Sequence, residues 1–307
     1  MISVIMSIYN EPEKWICQSI DSILHQTYSN IELIIVVDNP KIDDGIRSIL
    51  EKYKEDERVV INYNKENIGL ALSMNKAITL AKGEFIGRMD ADDISEVDRL
   101  KCELQYLNEQ SADMVCTNAI YIDENGNECG RGLPLPSDIN SSLYFSNRVI
   151  HPSVLIRSEV IRRIHGYRNF RRTQDYDLWL RLLSENCKMC GLDKYLVKYR
   201  RSTQQASNSH RLEQYYTVKY QRQLYHERKK NGTDSFSEES YKSYLQKKNI
   251  NEEKNKKCIK ALDYLRRLSL EKNYIYRVRL FMGALFSYPE IALDAIILHL
   301  KQKNMKE

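Results

Sequence analysis

Asp90 and Asp92, in the run Arg88-Met89-Asp90-Ala91-Asp92-Asp93, are two carboxylates one residue apart that can aim at one cation from a tight turn. Hard divalent ions such as Mg2+ and Mn2+ prefer oxygen ligands and complete their shell with waters and substrate phosphate oxygens. A cation bridging a diphosphate neutralises charge that develops as a bond to that diphosphate breaks. An Asp-x-Asp triplet alone is weak, because such triplets recur on solvated loops. Its place directly after the apolar run 84–89 strengthens it. Two other polar groups follow apolar runs in the same way, Tyr9-Asn10-Glu11 after residues 2–8 and Asp38-Asn39 after residues 31–37. His151, ahead of another strand-like run, can complete a metal shell or hold a phosphate, and can equally serve as a cap or core group. Asp175 opens a helical pattern, where Asp is a common N-cap.

Alternating strands and helices must position these residues. Residues 2–8 and 31–37 are nearly continuous apolar, β-branched runs, the pattern of strands buried on both faces of a parallel sheet. Between them Ile16, Ile20, Ile23 and Leu24 recur at helical spacing, with Asn10 as the cap and Pro12 near the start. A helix over 43–53 and a strand over 59–63 follow. Asn67-Ile68-Gly69 then turns into a helix with Leu70, Met74, Ala77, Ile78 and Ala81 on one face, and Gly83 stands where a helix stop belongs. Strand alternating with helix four times predicts a parallel α/β sheet. Right-handed crossovers gather the strand C-terminal ends on one edge, where ligands bind in such sheets. The three polar groups therefore converge. Further on, the pattern predicts a helix over 97–107, one or two strands over 114–122, a loop over 130–147, a strand over 153–156 and a helix over 175–183. Leu178, Trp179 and Leu182 face inward on that last helix, so Trp179 reads as core rather than as a stacking platform for a ligand. Residues 196–199 close the sheet.

The net charge of +5 hides an asymmetry: residues 1–197 hold 23 Lys/Arg against 30 Asp/Glu, and residues 198–307 hold 24 against 12. An acidic catalytic region holds phosphates through a cation or local donors rather than bulk charge. The N-terminus lacks the charged start and cleavage site of a signal peptide. The most apolar stretch, 280–298, contains Pro289, Glu290 and Asp294 and is not clean enough to span a bilayer. A cytoplasmic location follows, with the inner face of the plasma membrane as a peripheral option. Seven scattered cysteines argue against a disulfide framework, and the Cys187/Cys190 pair lacks the two further ligands that zinc would need.

Taken in order, the motifs resemble those of glycosyltransferase family 2, of the bacterial polysaccharide-biosynthesis type. They are residues 3–11 (SVIMSIYNE), 19–28 (SIDSILHQTY), 67–71 (NIGLA), 75–78 (NKAI), 82–93 (KGEFIGRMDADD) and 174–181 (QDYDLWLR). The resemblance covers about residues 1–200 and implies the GT-A fold, a Rossmann-like mixed α/β sheet. It implies that Tyr9, Asn10 and Glu11 line a nucleoside pocket, with Asp38 on the base or ribose. Asn67, Gly69 and Arg88 would lie along the donor. Asp92 would bind Mn2+ or Mg2+, and Asp90 would meet ribose or a metal-bound water. Gly69 suits close backbone approach at a helix N-terminus. Arg88 can offer its fork to a phosphate or to a neighbouring carboxylate. Many relatives carry Asp-Asp-Gly-Ser where this chain has Val37-Asp38-Asn39-Pro40, which leaves the nucleotide less defined. The resemblance also makes Asp175 the base that takes the acceptor hydroxyl proton in an inverting displacement, with Asp177 structural. The implied donor is a UDP-sugar and the acceptor a saccharide or lipid-linked saccharide, in capsule, exopolysaccharide or lipopolysaccharide assembly.

These readings divide the chain into a catalytic domain over 1–204, with donor half 1–95 and acceptor half 96–204, and a basic amphipathic helical extension over 205–307. Its Tyr- and Lys-rich helices break near 231–240. Arg277, Arg279, Lys301, Lys303 and Lys306 flank the apolar stretch of the extension, which can seat it on an anionic leaflet. Tyr-rich amphipathic helices more often form core or interface, so a cap on the sheet domain or on a second subunit is the favoured reading, and a homo-oligomer is compatible with it. A dinucleotide oxidoreductase is disfavoured because no Gly-x-Gly-x-x-Gly follows the first strand. A nucleic-acid binder, or an inactive nucleotide-sugar binder, leaves the Asp cluster or Asp175 unexplained, and nucleic acid is not an expected partner.

Overall fold

The structure is a computed structural model that describes residues 1–201 and 210–304, with side chains to residue 300. The domain boundary expected at 204/205 lies outside the described residues. The chain separates into two compact units, Met1–Leu143 with Asn147–Ser202, and Tyr144–Ser146 with Thr203–Glu307.

The first unit is built on one sheet. Strands β1 (Ile2–Ile8) and β2 (Ile31–Val37) are apolar runs buried almost throughout, as expected of strands covered on both faces. With β3 (Val59–Tyr63) and β4 (Phe85–Arg88) they pair in parallel, in the order β3-β2-β1-β4. Helices α1 (Glu13–Leu24), α2 (Asp44–Tyr53) and α3 (Leu70–Leu80) make the connections. Beyond β4 the sheet turns mixed. The two-residue β5 (Ile94–Ser95) and helix α4 (Arg99–Glu109) lead to β6 (Met114–Ile122), whose outer part pairs with β7 (Glu128–Arg131). The short α5 (Asn140–Leu143) and a 3-10 turn at His151–Ser153 precede β8 (Val154–Arg157), antiparallel to both β4 and β6. Helices α6 (Ser158–Arg163) and α7 (Gln174–Ser184) lead to β9 (Met189–Arg200), parallel to β6 and antiparallel to β5. The segment expected as a loop over 130–147 thus contains the end of a strand and a helical turn.

Two local readings change. Asn10 does not cap α1, whose N-cap is Pro12 with no side-chain cap bond. Asp43 does cap α2, accepting from the Gly45 N–H at 2.8 Å and Ile46 N–H at 3.4 Å. Gly83 does not end α3 with a left-handed turn either, because Ala81 leaves that helix in extended conformation. Its backbone instead passes so close to β1 that a Cβ would lie 2.7 Å from the Ser3 amide nitrogen and 2.9 Å from the Met1 carbonyl. The contact is polar: Ser3 Oγ accepts from the Gly83 N–H at 2.8 Å and donates to buried Glu32 at 2.6 Å.

The second unit is helical: α8 (Arg211–Asn231), α9 (Glu238–Lys247), α10 (Glu252–Leu270), α11 (Tyr274–Ser287) and α12 (Pro289–Asn304). Gly232 at φ 77° ends α8, and Ser237 opens α9 with a capping box. Leu212, Tyr216, Cys258, Ala261 and Ile291 form its small core. Among the described residues no helix is long and apolar enough to cross a membrane.

Candidate active site

The C-terminal ends of β1, β2 and β4 carry the polar groups that the sequence pattern brings to one edge. The turns after β1 and β2 are tied together by Asn39, which donates to Asn10 Oδ1 at 2.8 Å and to the Tyr9 carbonyl at 3.1 Å. Tyr9 and Asn10 are exposed. Glu11 folds back to accept from the Tyr9 N–H at 2.7 Å, and its carboxyl is raised above its usual range, chiefly by burial.

Asp38 is 3% exposed and organises the next loop. Its Oδ1 accepts from Asn64 Nδ2 at 2.7 Å and the Ile68 N–H at 2.9 Å, and its Oδ2 accepts from the Gly69 N–H at 2.8 Å. Asn67 accepts from the same Gly69 N–H at 3.0 Å. Gly69 needs its φ of 86° to enter α3, and a Cβ there would meet open space. Lys76 donates to Asn64 Oδ1 at 2.7 Å and completes the network. The strand-end rule, applied to residues 59–63, points to Asn64. Lys76 falls in the motif at 75–78, though sequence alone assigned it no role.

After β4 the chain makes the acidic turn. Asp90, Asp92 and Asp93 can bring one oxygen each within 4.8 Å of one another. Arg88, 3% exposed, is ion-paired with Asp90. Burial and the charges of Asp90 and Glu11 push the Asp92 carboxyl up to about 7, and burial with the charges of Asp92 and Asp90 raises Asp93 well above its ordinary value. Asp93 Oδ1 accepts from the Arg200 N–H at 2.7 Å, while its buried Oδ2 has no hydrogen-bond partner. Three oxygen donors gathered at one turn, one with an orphaned buried oxygen, fit a hard divalent cation. Arg200 also donates to the Asp92 carbonyl at 2.8 Å and lies over the Trp15 ring at 4.8 Å. Ser19 donates to the Asp90 carbonyl at 2.6 Å.

His151 is not in the carboxylate group. Its Nε2 is bonded to the Tyr167 hydroxyl at 2.8 Å, its ring is edge-on to Tyr167 and Trp179, and burial and the Arg88 charge lower its pKa so that it is neutral. Trp179 is 1% exposed, a core residue. Asn75 clamps Tyr167 through both its N–H and its carbonyl, each at 2.7 Å.

Asp175 lies in the first turn of α7 and is not its cap, which is Thr173 at φ 55°. Its Oδ2 accepts from Asn147 Nδ2 at 3.2 Å. Burial raises its carboxyl, and hydrogen bonds and the Arg88 charge oppose that rise. Asp177, fully buried, pairs with Arg181 at 2.8 Å, and Arg181 also bonds the Ile164 and Gly166 carbonyls. That makes Asp177 structural. Sequence reasoning missed Asn147 and Tyr167, which have no motif of their own. The seven cysteines are free thiols.

A mixed sheet with an acidic turn at the end of its fourth strand and a carboxylate at the mouth of a later helix is the GT-A arrangement. The model of glycosyl transferase family 2 matches residues 3–172. An O-antigen biosynthesis glycosyltransferase of Escherichia coli, WbnJ, is 39% identical over 67% of this chain and 83% of its own. An uncharacterised glycosyltransferase of Methanocaldococcus jannaschii is 34% identical over 65% of this chain and 70% of its own. The structure of S. aureus TarS in complex with UDP superposes with a TM-score of 0.61 at 17% identity, covering 99% of this chain and 87% of that one. The chain belongs to glycosyltransferase family 2.

Proposed function

We propose that the protein is an inverting glycosyltransferase that moves a sugar from a UDP-sugar to a hydroxyl of a saccharide or lipid-linked saccharide. The pathway is assembly of a bacterial surface polysaccharide (capsule, exopolysaccharide or lipopolysaccharide) on the cytoplasmic side of the plasma membrane. The observation that carries the reading is the carboxylate group at Asp90, Asp92 and Asp93, with its orphaned buried oxygen on Asp93. The donor is supported by the UDP in the TarS complex, and the pathway by the name of the E. coli relative.

In this reading Asp92 holds Mn2+ or Mg2+ with help from Asp90, and the cation, when bound, offsets charge on the diphosphate. Arg88 adds a fixed positive charge beside it. Tyr9, Asn10 and Glu11 border the nucleoside, and the Asn67–Gly69 turn borders the donor. Asp38 shapes that turn, and Oδ2, which accepts one hydrogen bond, keeps a lone pair for base or ribose. His151 supports Tyr167 in preference to ligating metal, given its engaged Nε2. Asp175 is the base, although the family match ends three residues before it. It accepts the acceptor hydroxyl proton as that oxygen bonds to the anomeric carbon and the carbon–oxygen bond to the diphosphate breaks, its electron pair leaving with UDP. A raised carboxyl suits a group that must hold a proton during the step.

Thermal shift against UDP, GDP and NAD, with and without Mn2+, followed by nucleotide release over a panel of UDP-sugars, tests the proposal. UDP with Mn2+ is expected to stabilise the protein. Stabilisation by NAD, or by none of the three, would overturn it.

A further inference from the structure

The second unit carries two apolar stripes that its own core does not use. In α11 the buried residue is Ala284. Beside it Gly283 lies so close to the Tyr264 ring of α10 that a Cβ there would be 2.9 Å away. On the opposite side of α11, Ile275, Val278, Met282 and Phe286 recur at helical spacing and are exposed, Ile275 to 68% and Phe286 to 81%. Helix α12 repeats the arrangement: Ile291 and Ala292 are buried, while Leu293, Ile296, Ile297 and Leu300 are exposed. Tyr274 and Tyr276 stand exposed at the start of α11. Surfaces that meet only water seldom gather so many large apolar side chains.

Charge decides what fits this face. Between residues 272 and 300 the acids are Glu290 and Asp294 alone. Each is 2.8 Å from Lys219. Tyr216 donates to Glu290 at 2.7 Å, and Tyr215 donates to Asp294. One lysine offsets one of the two charges and the tyrosine hydroxyls bond both carboxylates, so both acids are engaged within the unit. The exposed cations on this stretch are Lys272, Arg277 and Arg279. Arg277, seven residues from Ala284, lies on the packed side and donates to the Leu268 and Glu271 carbonyls. That leaves Arg279 on the apolar side and Lys272 just ahead of the helix. Pairing the face with itself about a two-fold axis would bring these cations together, which like-charge repulsion opposes. An anionic leaflet satisfies both features at once: phosphates meet the cations, and the acyl boundary takes the apolar stripes. Tyrosines favour that headgroup level.

We propose that α11 and α12 form a docking surface for an anionic phospholipid leaflet. The proposal rests on the second unit alone and is independent of the reaction assigned to the first. Flotation of the full chain with phosphatidylcholine vesicles, with and without phosphatidylglycerol, tests it. The protein should float with the anionic vesicles and stay behind with the neutral ones, and added salt should weaken binding. Replacing Ile275 and Phe286 together by Ser should cut partitioning by about tenfold or more. The pair Lys272→Glu and Arg279→Glu should do the same. Both double variants should keep the parent circular dichroism and nucleotide release.

Absence of flotation with anionic vesicles at low salt would overturn the proposal. Equal binding to neutral vesicles would overturn the anionic assignment. A concentration-dependent dimer seen by light scattering, lost in the Ile275/Phe286 variant and without vesicle binding, would make the face a self-association surface instead.

Discussion

Asp92 and Asp175 carry opposite halves of the proposed chemistry, and isosteric amides separate them. Asp92→Asn removes a negative oxygen from the carboxylate group, so metal-dependent binding of UDP should weaken by about tenfold or more in calorimetric titration. Asp175→Asn cannot accept the proton, and it should leave UDP affinity within about twofold while lowering transfer by about a hundredfold or more. Near-full transfer in Asp175→Asn would remove it as the base. Asp38 acts one step back from the donor. Asp38→Ala leaves the Ile68 N–H without its acceptor and the Gly69 N–H with Asn67 alone, at a cost of about 1–3 kcal/mol. Its effect should fall mainly on donor KM, because the loop it shapes is proposed to border the donor and not the proton transfer.

Two elements gain their positions from buried polar contacts. Where β4 meets β1, the crossing tolerates no Cβ at residue 83. Gly83→Ala should lower stability by about 1–3 kcal/mol in urea unfolding, since the Ser3 nitrogen and the Met1 carbonyl in its way are backbone and cannot swing away. Helix α4 is fastened to the end of β4 by Arg99, fully buried, which donates to the Arg88 carbonyl at 3.0 Å and the Pro152 carbonyl at 2.9 Å. Its partner Glu103, also fully buried, lies 3.4 Å from Arg99 Nε. Burial outweighs the pull of Arg99 and lifts the Glu103 carboxyl to about 7. Between the unfolded value near 4.5 and about 7 the native state holds a proton that the unfolded chain has released, so stability falls as pH rises through that window. Glu103→Gln should flatten that fall, by up to about 3 kcal/mol across the window. An unchanged pH profile in denaturant melts would show that Glu103 is charged in the native protein.

For the molecule as a whole, the acidic first part and the basic second part are proposed to meet different ligands. The first part holds 30 acids against 23 bases up to residue 197, so a phosphate ligand there is held by a cation or local donors rather than bulk charge, and the Asp turn is proposed to hold that cation. Mn2+ and UDP together should therefore stabilise the protein much more than either alone. At a hundredfold excess over Kd the gain is about 2.7 kcal/mol, and EDTA should reverse it. Equal stabilisation by UDP with and without EDTA would count against the metal assignment.

Much of this was already legible in the residue order. Nearly continuous apolar, β-branched runs at 2–8 and 31–37 read as strands buried on both faces, and parallel strands joined by helices present their ends on one edge. That logic reaches Asp38 and Asp90–Asp93 without any coordinates, and it reaches Asn64 when carried to the third strand. Local pattern could not say why Gly83 is glycine, because the reason is a contact with Ser3, 80 residues away in the chain. Nor could it supply Arg200 for Asp93 or Asn147 for Asp175. Those partners arrive through strand register and packing between segments far apart in sequence, where neither spacing nor residue type carries a signal. For the tail, local pattern favoured a cap or subunit contact over a membrane face. Burial then showed which sides of α11 and α12 find protein and which do not, because an amphipathic period specifies that a helix has an apolar stripe and only tertiary packing determines whether that stripe is covered.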